Sequence, residues 1–330
     1  MNRVIVTGGN GFIGRNLVKK LLSCKLDSLA LISNTPNIRD KYLSDRKFLK
    51  DMPLRFYTAD IRDKKTISEI FQNEKGDTCI HLAAKISVAD SIINPDETMD
   101  INVKGTHNVL EACSKSKLNN FIFASSAAVY GDLRELPISE NASMTPLSPY
   151  GKSKMLAEEL VFRYDKLKKI QNTISLRIFN VYGRGNVSQS DVVSKFAARV
   201  SKGLPPVIYG DGNHTRDFIS VDDVADGILL SIKAMEGRKN GHNSYLSSVP
   251  VFNMGTGNAT SIKELAEKMI AISGLELDPI CEEGYQDRVI LHSYADMTKA
   301  KRALHFVARK NLETGLREIL EPVNVSKSAS

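Results

Sequence analysis

Short runs of apolar residues alternate along the first half of the chain with longer stretches in which apolar positions recur every three or four residues. The runs are "RVIVT" from Arg3, "LALI" from Leu29, "LRFYTA" from Leu54, "TCIHLAA" from Thr78, "FIFASS" from Phe121 and "TISLRIF" from Thr173. Such runs read as strands buried on both faces, and the helical stretches between them as their covers. The first of those stretches carries Phe12, Ile13, Leu17, Val18, Leu21 and Leu22 on one helical face. The alternation predicts an α/β fold, a Rossmann-type doubly wound parallel sheet. Beyond residue 180 the rhythm changes to loops rich in Gly, Pro and Asn, with a helix near residues 191 to 202. A further helix follows Ser261, where "SIKE" has capping-box spacing, and another starts near Met297. The pattern therefore predicts a dinucleotide-binding unit over residues 1–178, completed by parts of 217–255. A smaller α+β carboxyl-terminal unit takes 179–216 and 256–325, interleaved with the first, and residues 326–330 read as a disordered tail. There is no internal repeat and no linker.

Composition narrows the class. The chain has 330 residues, 42% hydrophobic and 25% charged, enough to bury a large core. No apolar run approaches the roughly 20 residues of a membrane span, and the start enters a strand instead of a signal peptide. A cytoplasmic protein with no membrane partner is expected. The four cysteines, Cys24, Cys79, Cys113 and Cys281, lack paired spacing, and no histidine set has metal-ligand spacing. Reduced thiols and no metal are therefore expected. The formal charge of +7 is dispersed along stretches such as "YDKLKK" and "KAKRAL", which argues against a nucleic-acid partner.

Candidate chemistry begins at "VTGGNGFIG", a glycine turn that leaves a strand and opens a helix. Gly8 permits the tight turn, Gly11 lets a pyrophosphate approach the backbone, and Gly14 lets the helix pack closely. The anion would sit among the unpaired N–H groups of the helix start. Farther on, "SPYGKSKMLAEEL" sets Tyr150 and Lys154 four residues apart, with Ser148 as N-cap and Pro149 at the first helical position. Both side chains then leave one helix face. A tyrosine that acts as a base at pH 7 needs its pKa lowered by about 3, or about 4 kcal/mol, which a nearby cation supplies. Ser126, at the end of "FIFASS", would emerge at the carboxyl end of the sheet beside that pair. His81 reads as a strand-closing residue.

Together, "TGGNGFIG", "HLAA", "SSAAVYG", "YGKSK", "RIFNVYG" and "YGDGNHTRDFISVDDVA" make the chain resemble the extended short-chain dehydrogenase/reductase family, in its NAD-dependent nucleotide-sugar epimerase/dehydratase branch, from residue 3 to about residue 320. The resemblance implies bound NAD, a UDP-hexose substrate and a homodimer joined through the helices bearing "NVKGTHNVLEAC" and Tyr150. It implies 4-epimerisation of UDP-glucose and UDP-galactose through a transient 4-keto sugar and return of the hydride. On this basis Tyr150 is the acid/base, Lys154 holds the nicotinamide ribose and lowers the tyrosine pKa, and Ser126 hydrogen-bonds the reacting oxygen. Gly8, Gly11, Phe12, Ile13 and Gly14 match the pyrophosphate turn, and Asp60 and Ile61 the adenine contacts. Ala83, Lys85 and Asn102 match positions lining the cofactor. Asn180 and Arg216 match substrate contacts, the arginine on the diphosphate, with an ion pair to Asp217 or Asp222 as its alternative.

Departures from the family pattern leave choices open. Ala127 and Ala128 follow Ser126 where sugar 4,6-dehydratases carry an Asp-Glu pair, which argues against elimination chemistry. Ser33, followed by Asn34, stands where an aspartate normally holds the cofactor ribose, and Arg15 and Arg39 could attract a 2′-phosphate. NADP, and with it a reductase acting on a 4-keto sugar nucleotide, therefore stays as the alternative. Gln286 falls where a substrate arginine is expected, with Arg288 two positions along as the candidate replacement. Ser293 occupies the position that limits room at sugar C2, and its small size predicts acceptance of N-acetylated sugars.

Overall fold

A computed structural model describes residues 3–35, 54–186, 191–239, 250–283 and 290–321. The six apolar runs form β1 (Arg3–Thr7), β2 (Ser28–Ser33), β3 (Leu54–Thr58), β4 (Thr78–His81), β5 (Asn120–Ser126) and β6 (Asn172–Ile178). A seventh strand, Val251–Met254, pairs in parallel with β6 at the sheet edge. The order is Val251–Met254, β6, β5, β4, β1, β2, β3, with every pairing parallel. The direction of strand succession reverses between β1 and β4, so a crevice opens beyond their carboxyl ends.

The uniformly apolar strands follow from burial on both faces. In β1, Val4 and Val6 enter one core and Ile5 the other; in β5, Ile122 and Ala124 face the first while Phe121 and Phe123 face the second. Helices Phe12–Leu22 and Val221–Lys239 cover the first face, through Leu17, Val18, Leu21, Val224, Ile228 and Ile232. Helices Lys64–Glu74, Gly105–Lys115 and Pro149–Lys166 cover the second. Each buried Val, Leu or Ile contributes about 1.5–3 kcal/mol, so these two layers hold most of the stability.

A separate core gathers Tyr182, Val193, Phe196, Ile208, Phe218, Leu265, Met269 and Leu316, all from beyond residue 180. It joins helices Val192–Val200, Ile262–Ser273 and Leu312–Leu320. Ser261 caps the second of these by accepting from Glu264 N at 3.0 Å. The segment 298–306, assigned by pattern to the smaller unit, lies elsewhere. Its Ala300, Ala303, Leu304 and Phe306 fill the first core of the large sheet.

One polar feature braces the second face. Arg177 on β6 and Glu158 on the helix Pro149–Lys166 are buried together, with Nε at 3.1 and 3.2 Å from the two carboxylate oxygens. The guanidinium also donates to the Glu140 carbonyl at 3.0 Å and stacks 4.8 Å from the Tyr130 ring centroid. Burial acts to lower the arginine pKa, but the carboxylate outweighs it and the cation is held more firmly than usual. The pair fixes this helix against the strand it crosses.

Candidate active site

The glycine turn lies at the switch point, at the end of β1. Gly8 has φ +71° and its N–H donates to Ile32 O at 2.8 Å. A Cβ there would stand 2.6 Å from Ala83 N, at the mouth of β4, so neither the torsion nor the space admits a side chain. A Cβ on Gly14 would lie 2.3 Å from Gly8 O; this glycine lets the helix close upon the turn itself more than upon the sheet. Helix Phe12–Leu22 starts without a side-chain cap and without an acidic residue in its first turn. Its first N–H groups therefore face the crevice unneutralised, which suits a diphosphate. The cradle fits a dinucleotide.

The crevice has a volume of about 1460 Å³. That exceeds the roughly 300–1,000 Å³ of an ordinary small-ligand pocket and leaves room for a second ligand. At one end Ser33, Asn34, Asp60 and Ile61 line it together. The Asp60 carboxylate accepts the Arg62 guanidinium at 2.6–3.1 Å, and these hydrogen bonds hold its pKa below the usual range. Ser33 Oγ accepts from Thr35 N, at 3.3 Å. Arg15 also lines this cleft, but its guanidinium donates to Gly185 O at 2.9 Å. Arg39 lies outside the described residues.

Ala83 and Lys85 line the middle, Lys85 paired with Glu97. Asn102 does not line the cleft, contrary to the expectation from sequence. It is 1% exposed, in the π-turn Asp100–Lys104, and clamps the strand end to the Tyr150 helix from behind. Its Oδ1 accepts from Lys85 N at 2.8 Å, while Nδ2 donates to Lys85 O and Ser153 Oγ, both at 2.9 Å. His81 is likewise structural: its ring nitrogens meet Thr7 Oγ1 at 2.6 Å and Thr106 Oγ1 at 2.9 Å. Burial, aided by the charge of Lys154, lowers its pKa to about 3, so the imidazole is neutral.

Ser126, Tyr150 and Lys154 converge on the same cleft. Ser148 caps the helix of Tyr150 and Lys154, accepting from Gly151 N at 3.1 Å, with Pro149 in the first turn. A Cβ on Gly151 would come within 2.5 Å of Ala128 O, so this glycine lets the helix approach the segment that follows Ser126. Lys154 Nζ donates to Ala124 O at 2.8 Å and lies 5.0 Å from the Phe123 ring centroid. Burial lowers its pKa from 10.5 to about 7. Burial raises that of Tyr150, and only the hydrogen bond with Ser126 opposes this. The Lys154 ammonium is turned to a backbone carbonyl, and its charge is not among the causes that act on Tyr150.

At the far end Asn180 lines the cleft, on the short strand Asn180–Tyr182. Arg216 and Ser293 are cross-strand neighbours on a small three-stranded sheet and stand apart from that lining. Arg216 pairs with neither aspartate proposed for it. Asp217 accepts from Thr256 N at 2.8 Å, Gly257 N at 2.9 Å and Ala295 N at 3.1 Å, and Asp222 pairs with Lys310. The arginine instead donates to Thr215 O at 2.8 Å, and burial lowers its pKa. Gln286 and Arg288 lie outside the described residues. Sequence reading missed Asn10, Ser125, Asp191 and Lys195, all in the cleft wall; the first two stood inside the quoted motifs.

A dinucleotide cradle, a Ser-Tyr-Lys set and space for a second ligand define an enzyme that works on a substrate beside a bound nicotinamide cofactor. The chain belongs to the NAD dependent epimerase/dehydratase family, which matches residues 4–255. It is 35% identical over 320 residues to a putative UDP-glucose 4-epimerase of Methanocaldococcus jannaschii, covering 96% of this chain and 97% of that one. The UDP-glucose 4-epimerase of Thermotoga maritima, solved with UDP-glucose, superposes with a TM-score of 0.84 at 29% identity, over 97% of both chains. The UDP-N-acetylglucosamine 4-epimerase of Methanobrevibacter ruminantium M1, in complex with UDP-N-acetylmuramic acid, gives 0.83 at 28% identity, over 96% of both. No described helix is long and apolar enough to cross a membrane.

Proposed function

We propose that this protein is a UDP-hexose 4-epimerase that interconverts UDP-glucose and UDP-galactose and also accepts their N-acetylated forms. The observation that carries the reading is the convergence of Ser126, Tyr150 and Lys154 in a cleft with room for a sugar nucleotide beside the cofactor. The relatives' names agree with it. Ala127 and Ala128, immediately after Ser126, supply no acid or base for elimination of water.

The cradle residues Gly8, Gly11 and Gly14, with Phe12 and Ile13 at the helix start, would hold NAD at its diphosphate. Ser33, Asn34, Asp60 and Ile61 would take the adenosine end, and Ala83 and Lys85 the middle. A bound NAD supplies the acceptor and donor of the electron pair at sugar C4. Tyr150 Oη removes the proton from the sugar 4-hydroxyl and later returns it, and Ser126 Oγ hydrogen-bonds the same oxygen. Lys154 orients the cofactor end and, when protonated, favours the tyrosinate. Asn180 positions the sugar nucleotide, with Arg216 and Arg288 serving its diphosphate and Ser293 leaving room at C2. The working assembly is a homodimer through helices Gly105–Lys115 and Pro149–Lys166; light scattering in solution checks it.

Release and identification of nucleotide from denatured protein, followed by assays with UDP-glucose and UDP-galactose, tests the reading. Retained NAD with turnover of both sugars supports it. NADP, with NADPH-dependent reduction of a 4-keto sugar nucleotide and no epimerisation, replaces it with a reductase.

A further inference from the structure

Folded proteins leave few buried polar atoms without a hydrogen-bond partner, and an exception calls for an explanation. Among the described residues, two buried side-chain atoms have none: Asn10 Oδ1 and Ser125 Oγ. The residues are 9% and 4% exposed. They come from different parts of the chain, yet both line the same cleft. Their neighbours are already engaged. Ser126 Oγ accepts from Ala128 N, Lys154 Nζ donates to Ala124 O, and Gly11 N donates to Gly8 O.

From this coincidence, and resting on the dinucleotide reading above, we propose that Asn10 and Ser125 are two further cofactor-binding residues, one for the diphosphate and one for the nicotinamide nucleoside. Asn10 lies in the glycine turn, directly before the uncapped start of helix Phe12–Leu22. Its carboxamide offers donors as well as an acceptor, and rotation about its last bond brings Nδ2 to a phosphate oxygen. Ser125 lies on β5, next to Ser126 and to the carbonyl that holds Lys154. Its hydroxyl both gives and accepts, which matches ribose hydroxyls or a carboxamide. The strand order β5, β4, β1 sets the two sites two strands apart, roughly 10 Å at about 4.8 Å per strand. A dinucleotide reaches both; a nucleoside diphosphate seated on the turn reaches only Asn10. The glycine turn therefore has a side-chain ligand in addition to its backbone donors.

The test is calorimetric titration of the full chain, stripped of nucleotide, with NAD and with ADP, for the wild type and for Asn10→Ala and Ser125→Ala. Melting temperatures of the nucleotide-free proteins are measured alongside. Asn10→Ala should weaken both ligands about tenfold, as loss of a hydrogen bond to a charged group does. Ser125→Ala should weaken NAD about threefold to tenfold and leave ADP unchanged. Neither variant should lower the melting temperature, because Asn10 Oδ1 and Ser125 Oγ have no hydrogen-bond partner among the described residues. Unaltered NAD affinity in both variants overturns the assignment while leaving the dinucleotide reading intact. A parallel fall in melting temperature and in affinity for both ligands also overturns it, in favour of a structural role. Wild-type protein that binds neither ligand removes the dinucleotide reading, and this assignment with it.

Discussion

Replacing Lys154 by Met should abolish activity and yet stabilise the nucleotide-free protein. The lysine is 4% exposed, and burial brings its pKa from 10.5 to about 7. That gap corresponds to about 4–5 kcal/mol against the charged form, at about 1.4 kcal/mol for each tenfold change. Water on the cleft side, the hydrogen bond to Ala124 and the position over Phe123 offset part of it, leaving a gain of about 2–3 kcal/mol for an apolar side chain of similar length. The sign is set by proton counts. Between pH 7 and about 10.5 the unfolded chain holds a proton that the folded site sheds, so wild-type stability rises with pH across that window. The Met variant lacks this dependence, and its advantage should be greatest at pH 7 and shrink by pH 9.5. Urea unfolding of both proteins at the two pH values measures it. A variant less stable than wild type at pH 7, or one with the same advantage at both pH values, refutes burial of the charge as the dominant effect.

Tyr150→Phe should lower kcat by about 100- to 10,000-fold while nucleotide content after purification stays unchanged. Glu158→Ala leaves the Arg177 cation buried and unpaired and should cost about 3–5 kcal/mol in urea unfolding, with much of the loss recovered when Arg177→Met is added. Gly8→Ala combines a left-handed torsion with a contact at 2.6 Å. It should cost about 2–4 kcal/mol and remove retained nucleotide, read by melting temperature and absorbance. Ser293→Tyr should stop turnover of UDP-N-acetylglucosamine and spare UDP-glucose; equal effects on the two substrates would remove the steric account.

What the sequence disclosed was local. The strands were legible because both faces of each are buried, so that Val4, Ile5 and Val6 are all apolar although they point into different cores. The start of the Tyr150 helix was legible because Ser148 and Pro149 act within one turn. Asn102 was placed on the cofactor because its amide bonds to Lys85 and Ser153, 17 and 51 residues away, are contacts that no periodicity reveals. Residues 298–306 were misplaced because an apolar helix face looks the same whichever core receives it. The partners of Arg216 were hidden because Asp217, its neighbour in sequence, accepts instead from backbone N–H groups at residues 256, 257 and 295, contacts that depend on chain segments far apart in sequence. Gly151 was quoted within a motif but given no role, since its close approach to Ala128 O exists only once two elements have docked.

The pairing of Val251–Met254 with β6 also governs the order in which the molecule can assemble. Strands β1 to β6 have all been synthesised by residue 178, but the outer side of β6 stays uncovered until residue 254 has emerged. During that interval a nascent chain presents an edge, from Ser175 to Ile178, whose backbone groups lack their partner strand. A fragment ending after β6 should therefore associate edge to edge more readily than one carried through Met254, in which a strand of only 4 residues takes over the edge. For this fold, the late-made half is the guard of the early-made half against aggregation.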